Sequence, residues 1–218
     1  MTREQEPPQG PVVTVGEVEV WEINGRIEVL DIPSDSDNRF SMSIGSINDM
    51  YLTLNDSRTD DESCIFKPMR FRSGVGGGAF PHISAYLVSI MESFQRHDGQ
   101  ISDEYRKKEH LLHLSSRPAH TDAPSSEGLS VMIGKNPSEP RYLIKGLPNE
   151  NEINETLDIE ISQAGDATIT LTDLTYNRPQ IGTMTFKTAE NGGKYPIMAE
   201  AFTKIAEGIV KVLQDKSD

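Results

Sequence analysis

The chain has 218 residues, 35% of them hydrophobic, and its 21 Lys and Arg against 34 Asp and Glu leave a formal net charge of −13. That length can bury a sizeable core in one domain or two, and no apolar run nears the roughly 20 residues that span a bilayer. Such acidity repels phosphate backbones at long range, so nucleic-acid binding would need a locally basic or aromatic surface, whereas a basic protein partner would need none.

The opening "MTREQEPPQG" lacks the apolar stretch of a secretory leader, and a cytoplasmic location is expected. Residues 1–16 read as a flexible N-terminus. "EVEVWEINGRIEVLDI" then places Asn24-Gly25 between two alternating runs. Both residues accept the positive φ of a type I′ turn, so a β-hairpin is predicted. "SMSIGSINDMYLTLND" reads as two further strands joined by a short polar turn. Cys64, the only cysteine, lies beside Ile65 and Phe66 and reads as a small core residue. With no second cysteine, an intrachain disulfide is excluded.

A last strand runs into "RFRSGVGGGAFPHISAYL", where a glycine-rich loop opens onto an amphipathic helix. Gly74 to Ala79 fits G-x-G-x-x-A, but that fingerprint belongs to the first turn of a parallel βαβ unit. Here the preceding strands read as an antiparallel meander. No Gly-Lys-Ser/Thr ends the loop either, so the phosphate-binding P-loop pattern is absent. Pro81 stands near the first helical turn, where its missing N–H costs least. Ile83, Leu87, Ile90 and Phe94 form one apolar stripe.

Residues 99–128 read as a linker, with a short helix over Tyr105 to Leu114 and a Pro/Ser-rich end. "LSVMIGKNPSEPRYLIKGL" then reads as a looser hairpin, and "DIEISQAGDATITLTD" aligns with the stretch from Ser41, Asp166 meeting Asp49. "FKTAENGGKYPIMAEAFTKIAEGIVK" aligns without a gap with the stretch from Phe71. Gly77-Gly78 and Pro81 match Gly192-Gly193 and Pro196. Met198, Phe202, Ile205 and Ile209 repeat the helical stripe.

The expected fold class is therefore α+β, a tandem duplicated repeat. Each copy is an antiparallel sheet of four to five strands followed by one C-terminal amphipathic helix. The copies span residues 17–98 and 129–215, with a tail at 216–218. The second copy keeps the paired glycines and loses G-x-G, so the loop reads as a strand-to-helix joint and not a phosphate cradle.

No catalytic constellation emerges. "EHLLH" puts His110 and His113 on one helical face without the H-E-x-x-H order or a third ligand. Carboxylates cluster in polar loops such as "TDDES" and "NENEINE", and no G-x-S-x-G elbow is present. Neither catalytic residues, nor a metal site, nor a cofactor is expected, and the chain reads as a non-enzyme.

One face of each sheet should pack under its helix and the other face outward. Met42, Ile44, Leu52, Leu54, Met69 and Phe71 are the expected inner set. Ser41, Ser43, Tyr51, Thr53, Phe66, Arg70 and Arg72 are expected outward, as are Thr168, Thr170, Thr172, Thr185 and Lys187. Glu19, Trp21, Glu28, Asp158 and Glu160 share the outer faces.

In this order of elements, carried by "RFSMSIGSINDMYLTLND…MRFRSG…PHISAYLVSIMESF" and its partner "LDIEISQAGDATITLTD…MTFKTAENGGKYPIMAEAF", the chain resembles the PC4/Whirly/PUR-like group of nucleic-acid-binding folds. The lysine-rich Whirly motif and the aromatic-basic PUR pattern are absent, and the early hairpin is extra. The resemblance implies binding of single-stranded DNA or RNA on the outer sheet faces. It also implies a homo-oligomer through the helices, for which Ala201, Ala206 and Gly208 supply small residues. Arg70, Arg72 and Lys187 would then meet phosphate, Trp21, Tyr51 and Phe66 would stack on bases, and Thr53 and Thr185 would lie on the same faces. The alternative expectation is an acidic protein-interaction module, such as an inhibitor, an immunity protein or an assembly scaffold, with a basic partner.

Overall fold

The computed structural model describes residues 13–15, 18–23, 26–36, 38–45, 49–56, 69–78, 80–95, 129–149, 154–174 and 180–214. The alternating runs form antiparallel strands: β1 (Val13–Val15), β2 (Val18–Ile23), β3 (Arg26–Pro33), β4 (Asn38–Ile44), β5 (Met50–Asp56) and β6 (Met69–Phe71). They make a six-stranded sheet in sequence order, followed by helix α1 (Pro81–Gln95). The second half repeats the plan with β7 (Ser130–Ile133), β8 (Tyr142–Pro148), β9 (Glu155–Ile161), β10 (Ala167–Asp173) and β11 (Gln180–Phe186) in a five-stranded sheet, followed by α2 (Pro196–Gln214). The α+β expectation holds, but the first sheet is one strand wider than expected. Val13–Val15, read from sequence as part of a flexible N-terminus, pairs with β2 as Val13↔Val20 and Val15↔Val18. Its β-branched residues supply a strand too short for periodicity to announce. Asn24-Gly25, Leu54's side chain, Cys64, Phe66, His110, His113 and the 99–128 linker lie outside what is described.

The two halves agree in detail. In both, the ladder between the third-last and fourth-last strands shifts register, between Val29 and Ile32 and between Ile144 and Leu147. The bulged residue has positive φ, 58° at Asp31 and 74° at Gly146. Its exposed N–H is taken by a side chain of the next strand: Asp31 donates to Ser41 Oγ at 3.1 Å, Gly146 to the Asp158 carboxylate at 2.8 Å. Ser41, expected as a solvated outward residue, is therefore buried. It stands on the outer register but is held against the bulge it satisfies.

The glycine joint is equally alike. Gly78 donates its N–H to Ser73 O at 3.0 Å and Gly193 to Thr188 O at 2.9 Å. Gly77 and Gly192 both have φ of 72°, where an L side chain is strained. The second glycine is needed for a different reason. A Cβ on Gly78 would stand 2.0 Å from Arg72 O, and one on Gly193 1.9 Å from Lys187 O. One glycine bends the chain and the next lets backbone touch backbone.

The expected inner residues Met42, Leu52, Met69 and Phe71 are buried and Ile44 is partly buried against the core. Both helical stripes are buried throughout. The buried residues of the two halves form a single cluster. Phe40 of β4 meets Phe186 of β11 and Phe202 of α2 edge-on, with ring centroids 6.1 and 6.0 Å apart. Phe94 of α1 meets Tyr195 at 5.9 Å. Each fully buried Phe contributes about 1.5–3 kcal/mol through apolar burial, and here part of that is shared between halves.

The helices touch where Gly208 of α2 leaves room for His82 of α1, whose Cδ2 would lie 2.8 Å from an added Cβ. Ala201 and Ala206 are likewise buried. The small residues expected to serve contacts between subunits are thus packed inside one chain. Burial pushes the His82 imidazole down to about 4, because an imidazolium there would lose its water.

Two outcomes are expected. Gly193→Ala should cost more than about 3 kcal/mol or prevent folding, since backbone must move, while Gly192→Ala costs about 1–2 kcal/mol of left-handed strain; urea denaturation of both variants checks this. His82 has a folded pKa below its unfolded value, so the unfolded chain takes up the proton first and stability falls as pH drops from about 6.5 towards 4. At roughly 1.4 kcal/mol per pKa unit, His82→Gln should remove on the order of 2 kcal/mol of the difference in unfolding free energy between pH 7 and 4.5.

Candidate functional site

Helices cover one face of each sheet, so chemistry presented by strands must lie on the other. On the first sheet, the registers Trp21↔Glu28, Glu28↔Ser43, Ser43↔Tyr51 and Tyr51↔Arg70 set five outward residues side by side in one row from β2 to β6. Cross-strand neighbours of this kind lie about 4.5–5.5 Å apart at Cβ. The row begins with an indole and ends with a guanidinium. Trp21 Nε1 donates to the Glu19 carboxylate at 3.0 Å. Arg70 Cζ stands 5.7 Å from the Tyr51 ring centre, within cation–π range. Thr53 sits in the neighbouring row, opposite Ser41.

Arg70 is not the loose phosphate contact that the sequence suggested. Its Nε donates to Asp49 Oδ2 at 2.9 Å and its Nη2 binds the same oxygen. Asp49 is buried, and its other oxygen accepts the Ser73 N–H at 2.9 Å. Burial alone would raise this carboxyl; the Ser73 N–H and the Arg70 guanidinium outweigh it and hold it below the usual carboxylate range. Asp166 does the same work in the second half, accepting Thr188 N–H at 2.8 Å and the Asn191 amide at 2.8 Å. Its carboxyl is also lowered, those donors prevailing over burial. The charge on Arg70 is thus fixed in direction: its forked donors turn to Asp49, and the flat guanidinium lies beside Tyr51. Arg72 lies past the end of β6, half-buried and with its Nε covered.

The second sheet presents a different face. Thr168↔Thr185 and Thr170↔Thr183 are opposite pairs whose hydroxyl oxygens stand 3.4 and 3.2 Å apart. Thr172 faces Ile181, which is 64% exposed. Lys187 is exposed just past β11, with its backbone N–H donated to Asp35 at 2.7 Å. Tyr51 and Arg70 are therefore brought together and Trp21 shares their row three strands away, Thr185 and Lys187 belong to a separate surface, and Phe66 is outside the described residues. Glu28 and Ser43, which complete the row, show as members only through strand register. Among the described residues, no three His, Cys, Asp or Glu gather as metal ligands, and no helix is long and apolar enough to cross a membrane.

No family model matches the chain, and neither a curated protein nor a solved structure matches it.

Asp49→Asn should loosen both Arg70 and the strand-to-helix joint, costing about 2–4 kcal/mol because it removes the buried carboxylate that the guanidinium and the Ser73 N–H share. Asp49 titrates lower in the fold than unfolded, so its contribution is present above about pH 4 and lost as pH falls further. The gap in unfolding free energy between wild type and Asp49→Asn should close below pH 4; a constant gap would deny the carboxylate this role.

Proposed function

We propose that the chain is a non-enzymatic protein that binds single-stranded nucleic acid, DNA or RNA, on the outer faces of its sheets. The row from Trp21 to Arg70 carries the reading. Bases stack on aromatic rings whatever their sequence, and two aromatic side chains share one row with an arginine whose Cζ stands 5.7 Å from the centre of the second ring. Arg70, screened by Asp49, contributes a planar stacking surface more than a net positive charge. The threonine pairs of the second sheet offer hydroxyl donors and acceptors of the kind that bond phosphate and sugar oxygens. Lys187 supplies positive charge beside them, and Arg72 flanks the first row. The element order resembling the Whirly and PUR-like folds, which hold nucleic acid on such sheets, supports the same reading.

A second reading is favoured by one observation. Glu19 and Glu28 flank Trp21 on the same face, Glu19 opposite Leu30 and Glu28 in the row itself. An aromatic residue between carboxylates also suits a basic protein segment, which the net charge of −13 would attract.

Trp21 is the only tryptophan, so its emission reports directly on the row. Titration with an oligo-dT strand should quench it, with affinity falling as salt rises and a matched duplex binding much more weakly. Tyr51→Ala should weaken strand binding roughly tenfold, in line with about 1–3 kcal/mol per stacked base, and Glu28→Gln should strengthen it by removing a repelling charge. No quenching at micromolar protein, together with weaker capture of a polylysine probe by Glu28→Gln, would sink the first reading and leave the second.

A further inference from the structure

The two sheets end differently. In the first, β1 covers the outer side of β2. In the second, the corresponding strand is β7, since Val20↔Val29 and Val131↔Ile144 occupy matching places. Among the described residues, no strand pairs with the far side of β7.

The direction of its backbone groups follows from the hairpin. Gly134 donates its N–H to Arg141 O at 3.1 Å, one step beyond the pair Ile133↔Tyr142. Bonded and non-bonded pairs alternate along an antiparallel ladder. Gly134, Met132 and Ser130 thus spend their backbone groups on β8, and Val131 and Ile133 aim theirs outward. Met132 and Ile133, on opposite faces of the strand, are 43% and 42% exposed. Proteins that stay monomeric guard an edge with lysine, proline or inward charge. Leu129 to Gly134, "LSVMIG", has none of these.

We propose that β7 is a homodimer edge, at which a second copy of this chain adds its own β7 antiparallel across a twofold axis at Met132. That register is self-complementary: Val131 faces Ile133 of the second copy, and each such pair exchanges both outward N–H and C=O groups. Met132 then faces its own counterpart at a non-bonded position, where Cα atoms lie about 4.5 Å apart. The uncharged register allows this occupant in spite of net charge. Two chains of net charge −13 repel through most of their surfaces, and this uncharged run lets identical strands meet without opposing like charges. The dimer joins two five-stranded sheets into one and leaves the row from Trp21 to Arg70 on the other half of each copy.

Sedimentation velocity over about 1–200 μM protein should show the 24.2 kDa chain passing into a species of twice that mass. Ile133→Lys should keep it monomeric with an unchanged far-UV circular dichroism spectrum. Independently, Met132→Cys in a Cys64→Ser background should oxidise to a covalent dimer, because the spacing at the axis suits a disulfide. Ile181→Cys, exposed but on β11, should not. A strict monomer across that range would overturn the proposal and leave the edge to a strand of some other chain. So would a dimer that Ile133→Lys leaves intact, or equal cross-linking at residues 132 and 181.

Discussion

The fold depends on how two sheet edges are closed. A strand at the end of a sheet carries backbone donors and acceptors that must find partners once buried. β6 and β11 are such strands, and each is met by the other half of the chain. Asp35 donates its N–H to Thr185 O at 2.7 Å, Thr185 donates back to Ser36 Oγ at 3.3 Å, and Asn38 Nδ2 reaches Thr183 O at 2.7 Å. In the opposite sense, Asn149 Oδ1 accepts the Arg70 N–H at 2.9 Å. Ser34 to Ser36 follow β3, Asn38 opens β4, and Asn149 follows β8 at the matching place in the second half. Each half therefore lends the same connection to cap the other's last strand. The single hydrophobic cluster is the apolar side of this exchange, because Phe40 can reach Phe186 and Phe202 only when β4 lies beside β11.

That exchange gives the polar groups of these loops a structural task, some buried and some at the surface. Asn149 binds Glu155 with its amide nitrogen while its oxygen serves Arg70. Asp35 accepts N–H groups from Lys187 and Lys194 at 2.7 and 3.2 Å. Unmaking the buried Asn149–Glu155 bond would leave a covered polar group without that partner, which costs more than the net gain of forming it. Among the described residues, Asp35, Asp49, Asp158 and Asp166 hold backbone N–H groups at turns, joints and a bulge. Asp49 and Asp166 are the plainest cases, and both keep their negative charge because donors converge on it.

Much of this could be read from sequence because it is periodic or local. Alternation predicts the strands, the spacing of Ile83, Leu87, Ile90 and Phe94 predicts a helical face, and the paired glycines kept in both copies identify the joint. The misses share a cause. Ser41 and Arg70 stand at outward positions of their strands, yet their side chains are claimed by Asp31 and Asp49, partners that periodicity does not name. β1 is only three residues long, below the length at which alternation is a signal. Gly208 does mark close helix packing, but sequence does not say whether the second helix belongs to the same chain. The row from Trp21 to Arg70 needed registers across five strands, including a bulge that shifts one of them.

The two halves differ most where packing asks least. Inward positions keep their character, with Phe71 matched by Phe186, Leu52 by Ile169 and Met42 by Ile159. The polar devices are kept in kind, Ser41 matched by Asp158 and Asp49 by Asp166. Outward, Tyr51 becomes Thr168, Arg70 becomes Thr185 and Ser43 becomes Glu160. A buried position is constrained by volume, where a change of one methylene is felt, whereas an outward strand position is constrained only by its neighbours in the row. One scaffold therefore carries an aromatic and arginine strip on one sheet and paired hydroxyls on the other without altering its core. The two faces therefore differ through their outward rows alone, while the glycine joint, with its positive φ and its backbone-to-backbone approach, is common to both halves.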